Sequence, residues 1–223
     1  MAEGRFTLRT ILLTCGILAS LLYAAMNVFI PMGWPGYSSA SQTISELSAI
    51  GAPTRPLWFA LGVLYTLLIA AFGWGIWRAT RGQRRLRLAG ALLVCSGLFG
   101  LFWPPMHLRG TSFSLTDTLH IVWTAVTLLI TLVVMVLAAM AFGQRFRLFT
   151  FAILAIWLVC GTLTGLDGPR VAANLPTPWV GVWERINAGA YLVWLVVFAV
   201  ALIRRTATTE SRQGVRTTAG VLT

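Results

Sequence analysis

Two histidines and an aspartate lie close together in a polar stretch between two apolar stretches of the chain. Asp117 and His120 are three residues apart at the start of a predicted helix, so they share one face of it, and His107 precedes them in the same stretch. Imidazole nitrogens and carboxylate oxygens bind zinc, which can convert a bound water into a nucleophile. The sequence predicts a candidate zinc site on these three residues, with Glu46 as a further acid, that would hydrolyse a lipid amide or ester.

The same residues also fit a structural role. Ser114-x-x-Asp117 has the spacing of a capping box, and a carboxylate is favoured near the positive end of a helix. His120 would then hydrogen-bond a carbonyl within the bundle, and His107 would lie at the level of the lipid headgroups. The pattern leaves both interpretations open.

A second set of residues suggests a different chemistry. Glu46 and Glu184 could protonate an alkene, and tryptophan faces could stabilise the resulting cation, as a metal-free cyclase acting on an isoprenoid would require. The alternative for the tryptophans is an ordinary aromatic belt at the membrane interface. Glu184 and Arg185, at the start of the last apolar stretch, could instead form a pair that clamps loops together.

Residues 37–55 form the longest polar passage between two apolar stretches. Thr43-x-x-Glu46 has capping-box spacing, and Ile44, Leu47 and Ile50 recur at roughly one helical turn. This pattern predicts a short amphipathic helix at the membrane surface, with Glu46 on or near its polar side. The passage is rich in hydroxyls, including Ser45, but the absence of a Gly-x-Ser-x-Gly elbow argues against a serine hydrolase.

The composition defines the fold class. Hydrophobic residues make up 57% of the 223 residues and charged residues only 10%, so the chain is predicted to be an all-α, polytopic membrane protein. One six-helix transmembrane domain is expected over 1–203, followed by a flexible cytoplasmic tail over 204–223. The predicted spans are 11–30, 57–77, 88–103, 120–142, 148–166 and 186–203.

The arginines predict the orientation of these spans. Thirteen of the 17 basic residues fall in the terminal segments and in the turns after the second and fourth spans, whereas four of the six acids fall in the other connections. By the positive-inside rule, both termini are cytoplasmic and the acidic connections face outwards. This distribution explains the net charge of +11 without nucleic-acid binding. The expected location is the bacterial cytoplasmic membrane.

Several motifs together carry a resemblance to a known family. They are the Ser41-Gln-Thr-Ile-Ser-Glu-Leu47 block after the first span, Pro105-Met-His107, and Gly181-Val-Trp-Glu-Arg185 before the last span. The chain resembles the bacterial multi-pass membrane family catalogued as domain of unknown function 998. The resemblance covers nearly the whole chain and implies a six-helix membrane bundle, but no activity.

We therefore expect an outward-facing polar pocket, roofed by residues 37–55, 104–119 and 167–185, that binds a lipid or another amphipathic molecule and could act on it. The expected catalytic residues are Glu46, Asp117, His120 and Glu184; the expected substrate-binding residues are Tyr37, Ser45, Trp103, Arg109 and Arg185; the expected zinc ligands are His107, Asp117 and His120. The alternatives are the isoprenoid cyclase and a non-catalytic membrane protein. A transporter fits least, because no span carries a charge at mid-depth. The expected partners are the bilayer and a lipid or isoprenoid ligand; the sequence does not determine the oligomeric state.

Overall fold

A computed structural model describes residues 2–219, with side chains over 8–207. Within that range the protein is helical and has no strand. Its helices are α1 (Ala2–Phe29), α2 (Arg55–Ala79), α3 (Arg84–Gly100), α4 (Leu115–Ala139), α5 (Gln144–Leu166), the short α6 (Gly168–Ala172) and α7 (Val180–Ala219). Two 3₁₀ turns, Ile30–Gly33 and Ser45–Ser48, follow α1 and lie in the predicted polar passage.

The six long helices form a closed ring. Each helix from α1 to α5 packs against its neighbour in the chain, and α7 packs against both α5 and α1. Short turns join α2 to α3 and α4 to α5 at one end of the ring, which we call the arginine end. Residues 30–54, 101–114 and 167–179 join the helices at the other end, and we call these three connections the polar cap.

Five of these helices are long and apolar enough to cross a membrane, so the chain is a multi-pass helical membrane protein. The candidate spans are Leu8–Gly33, Arg55–Ala79, Leu115–Ala139, Gln144–Ala172 and Val180–Ala207. The predicted third span, 88–103, corresponds to α3. This helix has 17 residues, begins with arginines and ends at Gly100, three residues before the predicted end.

Glycines bring α2 and α3 into close contact. A Cβ on Gly73 would lie 2.6 Å from the carbonyl oxygen of Gly90, and one on Gly97 would lie 2.6 Å from that of Thr66. Small residues of this kind let helix backbones approach each other in membranes, where association depends on packing and not on the hydrophobic effect. The close approach fixes α3 in the ring beside a helix that is long enough to span.

The arginine end of the ring is filled. Large side chains from the surrounding helices are fully buried there, among them Leu13, Phe72, Ile76, Leu86, Met135, Trp194 and Phe198. The Arg85 guanidinium donates to the carbonyl of Met140 at 2.8 Å and so ties one basic turn to the other. The helices therefore converge on a dense core at this end.

One local prediction differs from the structure. The amphipathic helix predicted in 37–55 is wrong: this passage forms only the 3₁₀ turn Ser45–Ser48, and Glu46 is fully buried instead of lying on a polar face. The passage turns inwards because its polar groups bond to other connections. Over the segment predicted as a flexible tail, α7 continues to Ala219, so the flexibility of this segment stays a prediction; residues 220–223 lie outside the described residues.

Candidate functional site

A buried ion pair stands at the centre of the polar cap. The Arg109 guanidinium donates from Nε to Oε1 of Glu46 at 2.7 Å and from Nη2 to Oε2 at 3.0 Å. The Glu46 side chain is 1% exposed and that of Arg109 is 14% exposed. Paired bonds between a guanidinium and a carboxylate are strong and directional. Glu46, predicted to be catalytic, and Arg109, predicted to bind substrate, are thus joined to each other.

The remaining bonds of this pair connect all three parts of the cap. Arg109 also donates to the Thr177 hydroxyl at 2.7 Å and to the carbonyl of Ser41 at 2.9 Å. Glu46 accepts the backbone N–H of Thr43 at 2.7 Å, and the Thr43 hydroxyl accepts the N–H of Glu46 at 3.2 Å. This exchange is the reciprocal bonding that the Thr43-x-x-Glu46 spacing predicted, although no longer helix follows it.

The first turns of α7 attach to the same polar passage. Glu184 accepts the backbone N–H of Ile44, and Arg185 donates to the carbonyl of Ser39 and to the Tyr37 hydroxyl, both at 2.8 Å. Gly181 lies so close to this passage that a Cβ there would collide with the carbonyl oxygens of Ser39 and Gln42. Glu184 and Arg185 therefore attach α7 to the polar passage, as one of the two interpretations predicted. Each of them bonds to the passage, and they do not hydrogen-bond to each other.

Tyr37 supplies a neutral donor within this junction. Its hydroxyl donates to the carbonyl of Thr43 at 2.7 Å while it accepts from Arg185. Burial raises the pKa of Tyr37 to about 12, although the bond from Arg185 acts in the opposite direction. The phenol is therefore protonated, and able to donate, throughout the physiological range.

Asp117 forms the capping box that its spacing predicted. It accepts the backbone N–H of Ser114 at 2.9 Å and the Ser114 hydroxyl at 2.8 Å at the start of α4. It also accepts the backbone N–H of His107 at 2.6 Å and lies 3.0 Å from Nδ1 of that imidazole. Asp117 thereby fixes the connection between α3 and α4 to the end of α4.

His120 lies in a separate group of contacts. Its Nδ1 is 2.8 Å from the carbonyl oxygen of Pro104 and 3.1 Å from the indole nitrogen of Trp103, and its Nε2 is 3.2 Å from the Ser45 hydroxyl. Within the part of the chain whose side chains are described, no three His, Cys, Asp or Glu residues group as ligands for a metal ion. The three predicted zinc ligands His107, Asp117 and His120 therefore do not come together as one group in this structure: His107 contacts Asp117, whereas His120 contacts Pro104, Trp103 and Ser45.

A cavity of about 320 Å³ lies in the ring directly beneath the cap. Its roof is formed by Ile44, Ser45 and Ser48, and its walls come from all six long helices. The walls are largely apolar and aromatic; they include Met26, Trp58, Phe59, Val63, Ile69, Leu101, Leu128, Trp157 and Leu192. This size and lining are typical of sites for small organic ligands.

The lining of this cavity differs from the lining predicted for the polar pocket. Most of the predicted polar residues bond to each other in the cap, and only Ser45 and Trp103 of the predicted site residues line the cavity. Glu46 and Glu184, the acids required by the cyclase hypothesis, do not line it. The polar connections therefore form a lid of bonded groups, and the open space lies below them among apolar side chains.

Several cavity residues were not predicted as site residues. Arg55, Ser48 and Asn187 line the cavity together with the tyrosines Tyr23, Tyr65 and Tyr191. For Asn187 and the tyrosines, the signal available in the sequence was the presence of polar groups inside apolar helices. That signal is weak, because a helix periodicity does not reveal which neighbouring helix each polar group will face.

The comparisons with known proteins bear on the whole chain. The family model described as "Protein of unknown function (DUF998)" matches residues 17–201. The chain belongs to the DUF998 family. The match spans the ring from α1 to α7 and includes every residue of the cap and the cavity described above, which confirms the resemblance carried by the Ser41–Leu47 block. No curated protein and no solved structure matches the chain.

Proposed function

We propose that this DUF998 protein binds the hydrocarbon part of a lipid or another amphipathic molecule in the cavity beneath the polar cap. The observation that carries the proposal is the contrast between a ring filled at the arginine end and an apolar cavity at the cap end. A protein that needed only a stable bundle would gain packing contacts by filling this space. An apolar cavity inside a membrane protein instead favours a chain drawn from the lipid.

The polar groups of the cavity support a defined orientation for the bound molecule. Arg55 alone carries a charge among the described residues that line the cavity, and its Nη1 donates to the carbonyl of Ser48 at 3.0 Å. Ser45 and Ser48 also line the cavity. The polar end of an amphipathic molecule would meet these groups, and its apolar end would extend towards Ile69 and Leu192.

The proposal includes the position of the protein in the membrane. We infer that α3 is the sixth span. At 1.5 Å per residue it is about 25 Å long, and the long side chains of its arginines would reach the interface; the Arg87 guanidinium already extends over the Trp77 ring, 4.3 Å from the ring centre. The arginine end would then face the cytoplasm. With the native cysteines replaced, an impermeant maleimide should label Thr111→Cys in intact cells and leave Arg81→Cys unlabelled; the reverse result would reject this orientation.

Native mass spectrometry tests the binding itself. The protein is incubated with vesicles of host lipid extract, purified in detergent and weighed with any bound lipid. Ala188→Phe places a ring in the cavity, and Ala60→Phe places the same ring on an exposed face of α2 as a matched control. We expect the first variant to lose bound lipid by roughly tenfold or more, a change of about 1.4 kcal/mol, and the second to retain it. Equal retention in both variants would contradict the proposal.

A further inference from the structure

We propose that Ser45 and His120 form a nucleophile–base pair that cleaves an acyl ester or amide of the molecule bound in the cavity. This inference rests on the proposed function, because the cavity must hold the acyl chain for Ser45 to reach its carbonyl carbon. Ser45 lines the cavity roof, and its Oγ lies 3.2 Å from Nε2 of His120. That distance is within the reach of a general base.

The proposed pair gives the two ring nitrogens of His120 different roles. Nδ1 faces two groups with opposite requirements: the carbonyl oxygen of Pro104 at 2.8 Å can only accept a hydrogen bond, and the indole N–H of Trp103 at 3.1 Å can only donate one. The pair uses the tautomer in which Nδ1 donates to Pro104, the shorter of the two contacts. Nε2 then carries the lone pair and accepts the Ser45 hydroxyl, as a base that activates a serine must.

The pair is held rigidly, as catalytic groups need to be. His120 is 7% exposed and lies in the second turn of α4, whose start is fixed by the Asp117 capping box. Ser45 begins a 3₁₀ turn whose next residue is Glu46 of the buried ion pair. The buried bonds of the cap thus position a serine and a histidine that are 75 residues apart in the chain. Serine–histidine pairs are recognised by geometry and not by sequence order, so a missing Gly-x-Ser-x-Gly elbow does not exclude one.

The reaction balances without a metal. Ser45 Oγ bonds to the acyl carbon as its proton passes to Nε2 of His120, and the leaving alcohol or amine takes that proton when its bond to the acyl carbon breaks. Water then attacks the acyl-serine, gives its proton to Nε2, and releases the carboxylic acid and the free Ser45 hydroxyl. Arg55 carries the charge among the described residues that line the cavity, and it would be the group available there to stabilise the oxyanion that forms in each step.

A long-chain alkyl fluorophosphonate carrying an alkyne tests the pair. Attack by an activated serine forms a bond from Oγ to phosphorus and expels fluoride, and peptide mass spectrometry locates the adduct. We expect an adduct on Ser45 in the intact protein in detergent. His120→Gln should slow labelling by roughly 100-fold or more, the usual contribution of a general base. Ser39→Ala, which removes an exposed hydroxyl in the same polar passage, should label like the unchanged protein.

The outcomes separate this inference from lipid binding. If the unchanged protein retains lipid but gives no adduct on Ser45, or labels another residue instead, the nucleophile–base pair is rejected while the proposed function stands. If His120→Gln labels as fast as the unchanged protein, His120 is not the base. Retention of lipid by His120→Gln establishes that a slower reaction does not result from misfolding.

Discussion

The two ends of the helix ring use buried space in opposite ways. At the arginine end, Phe72, Trp194 and Phe198 fill the interior, and the turns between helices are short. At the cap end, the interior contains a cavity of about 320 Å³, and the long connections carry the buried polar bonds. Where the ring is hollow, hydrogen bonds and the ion pair of the cap hold the helices together in place of side-chain packing. The cavity can thereby remain open without loss of the shape of the ring.

Removing one member of the buried ion pair is the strongest test of whether the cap holds the hollow end together. Arg109→Met leaves the Glu46 carboxylate buried without its cation, which typically costs about 3–5 kcal/mol. We expect a loss of this size in the free energy of unfolding, measured by denaturant titration in detergent. Arg170→Met is the matched control, because the Arg170 side chain is 51% exposed and should change stability by less than about 1 kcal/mol.

The double variant Glu46→Gln/Arg109→Met tests whether the loss in Arg109→Met comes from the unpaired carboxylate. Because it removes both charges together, it should recover part of the loss seen in Arg109→Met alone. If Arg109→Met costs no more than Arg170→Met, the cap does not hold the hollow end in the way that we describe.

Two isoleucines of α2 allow the packing of the two ends of the ring to be compared directly. Ile76 is fully buried at the filled end, whereas Ile69 is buried but lines the cavity. Truncation to alanine costs most where neighbours are packed on every side. We expect about 4 kcal/mol for Ile76→Ala and about 2 kcal/mol for Ile69→Ala in the same unfolding measurement. Equal losses would mean that the cap end is packed as fully as the arginine end.

Tyr37→Phe should have the smallest effect. It removes the acceptor of one Arg185 bond and a donor to Thr43, so we expect a loss of about 1.5 kcal/mol at neutral pH. In the unfolded chain the phenol ionises near pH 10, but in the folded protein its pKa is about 12. The stability that Tyr37 contributes should therefore be complete below pH 10 and decline between pH 10 and pH 12.

The matched measurement is the difference between the unchanged protein and Tyr37→Phe across this pH range, since other ionising groups are common to both. A difference that does not change with pH would mean that the phenol is not buried in the junction between α7 and the cap.

The contacts of a residue could be predicted from the sequence when its partners are close to it along the chain. The Asp117 capping box was predictable because Ser114 and Asp117 are only three residues apart, and the same holds for the bonds between Thr43 and Glu46. The burial of Glu46 was not predictable, because it depends on Arg109, 63 residues further along the chain. Without that partner, a carboxylate beside hydroxyls is expected to face water, which is why the amphipathic helix was a reasonable but wrong expectation.

The candidate site shows the same division. Ser45, His120 and Trp103 were each recognisable as residues capable of chemistry, but the sequence grouped His120 with His107 and Asp117 because they are close in the chain. In the structure His120 turns to Ser45, and His107 pairs with Asp117. The grouping changed because the connection before α4 places His107 against Asp117 and the Pro104 carbonyl against His120, so the two histidines have different partners.

By itself, the sequence determined the membrane class, the helical spans and the concentration of arginines in short turns. These features depend only on apolar runs and charges that are close together along the chain. It also determined which residues could cap a helix. Only the tertiary structure decided that Glu46 pairs with Arg109, that the ring is hollow beneath them, and that Ser45 faces His120. Those features depend on how the six helices pack into a ring. This packing brings together groups that are far apart in the sequence and share no regular spacing.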